Sequence, residues 1–336
     1  MSERLIAYTG VSALLAMVGS CEAGSHKDRL SDSPSSNAET GGADTGHDSA
    51  GDSAHDTGPP VTPGPWIALS CGDADCCAVA DDNRLACWGQ DTHGELDSLP
   101  DTTVAQVSVG AFGVCVLDES GAIACFPGDP DWPAPAGSFT AVVANGWDGC
   151  ALDDLGALLC WGGNFSAPPP DGEVFPPNGQ TFSTLAGGET VQGALDDAGT
   201  PTCWGSDDSY FTNASGYKSL TPTDSGFTSM VCGIDHCCVL DADGYPTCWG
   251  GDYTLTVEPA AGQFSSLSAG DNATCGVVLD GSEADCWGYG AFEVIPAPSG
   301  DHWAEYQRGG HGGIGCGLTV SGNIVCDGTD VPPSAP

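Results

Sequence analysis

The sequence predicts an all-β fold, a chain of seven similar units with the period of β-propeller blades. Three observations predict it. One sequence unit recurs seven times, and its second cysteines lie 35 to 45 residues apart, the range of propeller blades rather than of helical solenoids. Within each unit, short runs of strand-forming residues flank an Asp- and Gly-bearing turn. Composition disfavours long helices, with 50 Gly, 24 Pro and only 3 Met in 336 residues.

The N-terminus is read first because it sets the compartment. After Arg4 an apolar stretch runs from Leu5 to Val18, too short to span a bilayer and placed as in a secretory signal peptide. It ends in Val18-Gly19-Ser20-Cys21, which resembles the lipobox of bacterial lipoproteins. Residues 1–20 are therefore expected to be a lipoprotein signal peptide and Cys21 the lipidated residue. Each acyl methylene buried in the membrane contributes about 0.8 kcal/mol of anchoring. The alternative is an ordinary secretory signal with an incidental cysteine. Residues 21–64 are rich in Ser, Asp, Gly, Thr, Ala and His, with almost no large apolar side chain. Such a segment buries too little surface to offset its ordering entropy, so it reads as a disordered acidic tether. His47 and His55 beside Asp48 and Asp56 suggest weak metal binding or, more simply, a solvated linker.

Residues 65–336 carry the repeat. Each unit opens on Trp66, Val104, Phe139, Phe182, Phe227, Phe264 or Trp303 and closes on Cys87, Cys125, Cys160, Cys203, Cys248, Cys286 or Cys326. In Cys150-Ala-Leu-Asp153-Asp154-Leu155-Gly156-Ala157-Leu-Leu-Cys160 the turn Asp accepts hydrogen bonds from its own backbone, and Gly supplies the positive φ of a bulged turn. Pairing Asp153 with Ala157 and counting outward sets Cys150 opposite Cys160. The same count joins Cys115 to Cys125, Cys238 to Cys248 and Cys316 to Cys326. Cys77–Cys87 has Arg84 at the expected turn glycine, and Cys275–Cys286 has one extra residue. Cys71–Cys76 and Cys232–Cys237 are expected to close two small extra loops. Gly193 stands where the fourth unit should have its first cysteine, which leaves Cys203 unpaired. Cys21, Cys203 and these eight pairs account for all 18 cysteines. Structural zinc sites use cysteines two to four residues apart, so disulfides are the better reading. Each should stabilise the fold by roughly 2–3 kcal/mol.

The Cys-Ala-Leu-Asp-Asp-x-Gly…Cys-Trp-Gly unit resembles the repeats of the regulator-of-chromosome-condensation family in a bacterial, cysteine-bearing form. Cys87-Trp88-Gly89-Gln90-Asp91-Thr92-His93-Gly94-Glu95-Leu96 is similar to that family's Trp-Gly-x-Asn-x-x-Gly-Gln-Leu ending. The resemblance covers about residues 65–330. It implies a closed seven-bladed β-propeller with four strands per blade, and about one hairpin disulfide in each. Pro59 to Pro65 resembles the segments leading into later repeats, so the N-terminal end is expected to help close the ring beside unit seven.

Charge narrows the functional classes. With 46 acids against 6 Lys plus Arg, the net charge is −40. Binding to nucleic acid or to an anionic membrane surface needs clustered basic residues to neutralise phosphates, and none is present. Asp81, Asp118, Asp153, Asp196, Asp241 and Asp280 lead the turns and should form an acidic rim. That rim is either an electronegative face for cations or a basic partner, or simply the chemistry these turns need. The segments after Cys-Trp-Gly vary in length, and variable insertions mark the binding side of repeat arrays. They carry Phe165, Phe175, Tyr210, Phe211, Tyr217 and Tyr253, candidates for protein or glycan contact or for packing loops onto blades.

No nucleophile or metalloprotease motif occurs, so no catalytic residue is assigned. Asp301, His302 and His311 are close in sequence but weak as a metal site, and no metal is assigned. No cofactor is expected beyond weak surface cation binding. The expected protein is an exported, lipid-anchored monomer of the cell envelope, at the outer membrane or cell surface. Its propeller would be an interaction module for a protein or glycan. The alternative is a structural envelope protein with no selective partner, and a hydrolase is a distant third.

Overall fold

Alternating apolar and small polar residues, interrupted every few positions by glycine-bearing turns, produce short strands. The computed structural model describes residues 65–73, 75–90, 96, 99, 103–111, 113–126, 133–145, 148–162, 179–188, 191–205, 221–234, 236–250, 259–270, 272–288, 294–309 and 315–327, and every regular element among them is a β-strand. The expected signal peptide, Cys21 and the tether lie outside these residues.

Blade one comprises β1 (Trp66–Cys71), β2 (Asp75–Ala80) and β3 (Leu85–Gly89), and blade two β4 (Val104–Val109), β5 (Val114–Asp118) and β6 (Ile123–Phe126). Blade three comprises β7 (Phe139–Ala144), β8 (Asp148–Asp153) and β9 (Leu158–Gly162), and blade four β10 (Thr184–Gly187), β11 (Val191–Leu195) and β12 (Pro201–Gly205). Blade five comprises β13 (Ser229–Cys232), β14 (His236–Leu240) and β15 (Pro246–Gly250). Blade six has β16 (Phe264–Ala269), β17 (Ala273–Val278), β18 (Glu283–Gly288) and β19 (Val294–Pro296). Blade seven has β20 (Trp303–Arg308), β21 (Gly315–Thr319) and β22 (Ile324–Asp327).

Each blade is an antiparallel sheet with its strands in chain order. The four strands implied by the repeat resemblance are seen only in blade six; among the described residues the other blades have three. In blade two the described part of the next segment contains Pro133 and Pro135, which lack the N–H that a ladder requires. The first strand of each blade packs beside that of the next, and β20 returns to β1, so the first strands form a closed ring. Between neighbouring blades lie small, fully covered cores. Ala68, Cys77 and Val79 of blade one, for example, pack on Val104, Val107, Val109, Val114 and Val116 of blade two.

One backbone hydrogen bond repeats at every joint. The amide of Phe139 donates to Gly121 O at 2.8 Å, Phe182 to Gly156 O at 2.8 Å and Phe264 to Gly244 O at 2.8 Å. Val104 to Asn83, Phe227 to Gly199 and Trp303 to Gly281 repeat it. Trp66 to Gly322 O, at 3.0 Å, closes the circle. Pro65 thus lies beside the unit-seven turn, the place expected for the N-terminal end; Pro59 to Gly64 fall outside the described residues.

Eight disulfides join the expected partners: Cys71–Cys76, Cys77–Cys87, Cys115–Cys125, Cys150–Cys160, Cys232–Cys237, Cys238–Cys248, Cys275–Cys286 and Cys316–Cys326. Among the described residues Cys203 is the free cysteine, half-buried opposite Gly193. Burial pushes its thiol up to about 12, so at neutral pH it is a poor nucleophile.

Two turns differ from the sequence reading. In blade one the turn begins at Ala80, with Asn83 N donating to Ala80 O, and Asn83 takes the glycine position at φ 66°. The sequence reading placed Asp81 first and Arg84 at that position. The Cys77–Cys87 register fixes the turn leader three residues after the first cysteine, as Asp153 follows Cys150. By the same rule Val278 leads the blade-six turn and Asp280 comes third.

Candidate interaction faces

Antiparallel order gives the blades two chemically different ends. Phe139 pairs with Asp153 and Asp148 with Gly162. The starts of the inner strands therefore share one end with the Asp-bearing turns. The opposite end holds the loops from first to second strand and the Trp-Gly termini, from which the variable segments depart.

At the turn end the carboxylates are largely committed to local structure. Asp153 Oδ1 accepts the Leu155 and Ala157 amides at 2.9 and 2.8 Å. Asp196 does the same for Ala198 and Thr200, and Asp241 for Asp243 and Tyr245. Asp118 accepts the Ser120 hydroxyl and the Ser120 and Ala122 amides. These donors, the Ser120 hydroxyl foremost, hold the Asp118 carboxyl below its ordinary range. Asp280 is likewise lowered, chiefly by Ser282, and Asp301 is drawn down to about 2 by the Ser321 hydroxyl and the His302 amide. The exposed charge comes instead from the following positions, Asp81, Asp82, Glu119, Asp154, Asp197 and Asp243. Among them stand the exposed apolar tips Leu155, Leu279 and Val320. The six expected rim residues therefore all lie on turns, but four of them lead turns and two do not.

At the opposite end the sequence singled out the variable segments after Cys-Trp-Gly but not the collar of glycines beside them. Gly72, Gly110, Gly188, Gly233 and Gly270 each sit six residues after the unit's opening residue. There the blades nearly touch: a Cβ on Gly110 would lie 2.4 Å from Asn145 O, and one on Gly233 2.4 Å from Gly270 O. Asn145 replaces this glycine in unit three and is 1 % exposed, and its side-chain amide has no hydrogen-bond partner among the described residues. Nearby, buried His236 places Nε2 2.8 Å from Thr274 Oγ1. The six-residue spacing was the available signal for this collar. The repeated tryptophans fill the cores between neighbouring blades, with Trp88, Trp204, Trp249 and Trp287 all buried.

Phe165, Phe175, Tyr210, Phe211, Tyr217 and Tyr253 lie outside the described residues, as does His311. Asp301 is engaged by the His302 amide next to it and by the Ser321 hydroxyl of the turn between β21 and β22. Among the described residues, the potential metal ligands that converge are Cys71, Cys76 and Cys316, and all three are in disulfides.

No protein-family model and no curated protein matches the sequence. Solved structures do match. The ectodomain of the receptor kinase CR4 from Physcomitrella patens aligns with TM-score 0.59 and 23 % identity, over 78 % of this chain and 74 % of that one. Prp20p from Saccharomyces cerevisiae gives 0.58 at 16 % identity, over 73 % and 80 %. The CRINKLY WD40 ectodomain of ACR4 from Arabidopsis thaliana gives 0.54 at 23 %, over 69 % and 83 %. These likenesses establish the fold, a β-propeller.

Proposed function

We propose that this propeller is a non-catalytic interaction module, displayed at the cell envelope by a lipid anchor on Cys21, with a protein or glycan as its partner. The observation that carries the reading is the division of labour between the two ends of the ring. The turn acids mostly hold their own hairpins, whereas the segments that vary in length and carry the aromatic residues leave from the opposite, Trp-Gly end. Aromatics presented on a rigid frame suit recognition because little entropy is lost on binding. The fold supports the reading by analogy, since Prp20p is described with its binding to Gsp1p and histones. Fold alone does not assign function. A structural envelope role is the second reading, favoured by the eight disulfides.

The test is affinity capture from envelope extract with the oxidised full-length protein, beside a variant carrying Tyr210→Ala, Phe211→Ala and Tyr217→Ala. A protein or glycan enriched by the first and lost with the second supports the module. Equal capture by both, or none above a reduced and unfolded control, leaves the structural role in its place. Labelling with a radioactive fatty acid, lost in Cys21→Ser, tests the anchor separately.

A further inference from the structure

We propose that the joint between blades seven and one is a proton-controlled latch, held shut by the neutral Glu305 carboxyl and released when that carboxyl ionises. The argument begins with an internal comparison. Gln106 and Glu305 are each the third residue of an inner strand, and both strands bulge after their first residue. Each side chain reaches toward the next blade. Gln106 clasps one residue of blade three at both ends, Nε2 donating to Val142 O at 3.0 Å and Oε1 accepting Val142 N at 3.1 Å. Leu69 of blade one is the counterpart of Val142 in its unit. Its amide hydrogen-bonds the Glu305 carboxyl, while Glu305 Oε1 is buried without a partner. Only the neutral acid can present a hydrogen on that oxygen, as Gln106 does with its amide. The carboxylate would place a charge in a buried joint with a single amide to receive it.

Among the described residues, the surroundings bring no compensating charge. On β1 and β21 the ionisable side chains are the bridged Cys71 and Cys316, on β17 the bridged Cys275, and β16 has none. Glu283 and Asp285 of β18 belong to blade six, which packs on the other face of β20 through Trp303 and Tyr306. On β20 itself Arg308 lies three residues farther along, at the end opposite His302. Burial, opposed only by the Leu69 amide, pushes the Glu305 carboxyl up to about 8. Because the folded value is raised, the closed joint is fully favoured below the ordinary value of 4.5. It is progressively lost as pH rises through about 8. Gln307 fastens the same joint, accepting Cys71 N and donating to Leu69 O at 2.8 and 2.7 Å. It carries no titratable group, so a proton-dependent change falls to Glu305.

The test is native-state hydrogen exchange on the full-length, oxidised protein at pH 6 and pH 9, corrected for the intrinsic pH dependence of exchange. Protection of β1 and β20 should fall on the order of tenfold or more at pH 9, while β4 and β7 at the Gln106 joint stay constant. Glu305→Gln should abolish the fall. Gln106→Glu should transfer it to the joint between blades two and three. Equal protection of β1 and β20 at both pH values, or an undiminished fall in Glu305→Gln, would overturn the latch.

Discussion

Blades four and five meet across one interface and solve the same packing problem differently. In blade five, Cys238 and Cys248 face each other and are bonded. In blade four, Gly193 faces Cys203 in the same register without a bond. The space for the missing sulfur is filled from next door. A Cβ on Gly193 would lie 2.1 Å from Met230 Cε and 3.0 Å from its Sδ. The corresponding position in other units holds Leu69, Val107, Val142, Leu185, Leu267 and Tyr306. Methionine, long and flexible, suits an irregular gap. The comparison teaches that the bridges reinforce the hairpin register and do not create it, since the ladder from Val191 to Leu195 is complete without one.

The largest expected effect tests that statement directly. Replacing both Cys238 and Cys248 by Ala removes a bridge with sequence separation 10 and should cost about 3 kcal/mol in urea unfolding. Cys203→Ala, which removes only a half-buried thiol, should cost about 1 kcal/mol. Circular dichroism should show the same strand content in all three proteins. If the double variant loses its β signal altogether, the bridge does more than reinforce.

Restoring the sequence symmetry of blade four should give a smaller effect of opposite sign to intuition. Gly193→Cys places two cysteines in the opposed register used elsewhere, yet Met230 already occupies the space. The single variant should lose about 1–3 kcal/mol by overpacking and keep two free thiols by mass after alkylation. Adding Met230→Leu should allow the bond to close. The joint between blades seven and one already holds that arrangement, with Cys316–Cys326 beside Leu69 and Cys316 Sγ 3.8 Å from Cys76 Sγ. Spontaneous oxidation of Gly193→Cys alone would show that Met230 is not what excludes the bridge.

These differences also mark what could be read from the sequence. Repeat period, strand content and cysteine pairing were legible because hairpin register is local: a turn of known length fixes which residues face each other. The fourth-unit gap at Gly193 was legible for the same reason. Met230 was not, because its role depends on a contact between different units. The displaced turns of blades one and six were missed because Asp81 and Asp280 look like turn leaders. The cysteine register overrides that preference, and Asn83 tolerates the left-handed backbone. Glu305 gave no signal at all, since a strand residue reveals its burial only when the ring closes. The aromatic segments after Trp-Gly could be chosen only by composition and variable length, and no local rule assigns them a partner.

The smallest effect sharpens the comparison of bridged and unbridged blades. Asp153 in bridged blade three and Asp196 in unbridged blade four make the same pair of turn hydrogen bonds. Asp→Asn at either position keeps the accepting Oδ1 and should be nearly neutral. Asp→Ala removes two acceptor contacts and should cost about 1 kcal/mol, but not equally. In blade three the Cys150–Cys160 bridge still limits how far the hairpin can open, whereas in blade four only the ladder and the Met230 contact remain. The loss should therefore be larger for Asp196→Ala, and hydrogen exchange should show it as faster opening of β11 and β12. Equal losses at the two turns would mean that the bridge and the turn act independently, each holding a different part of the hairpin.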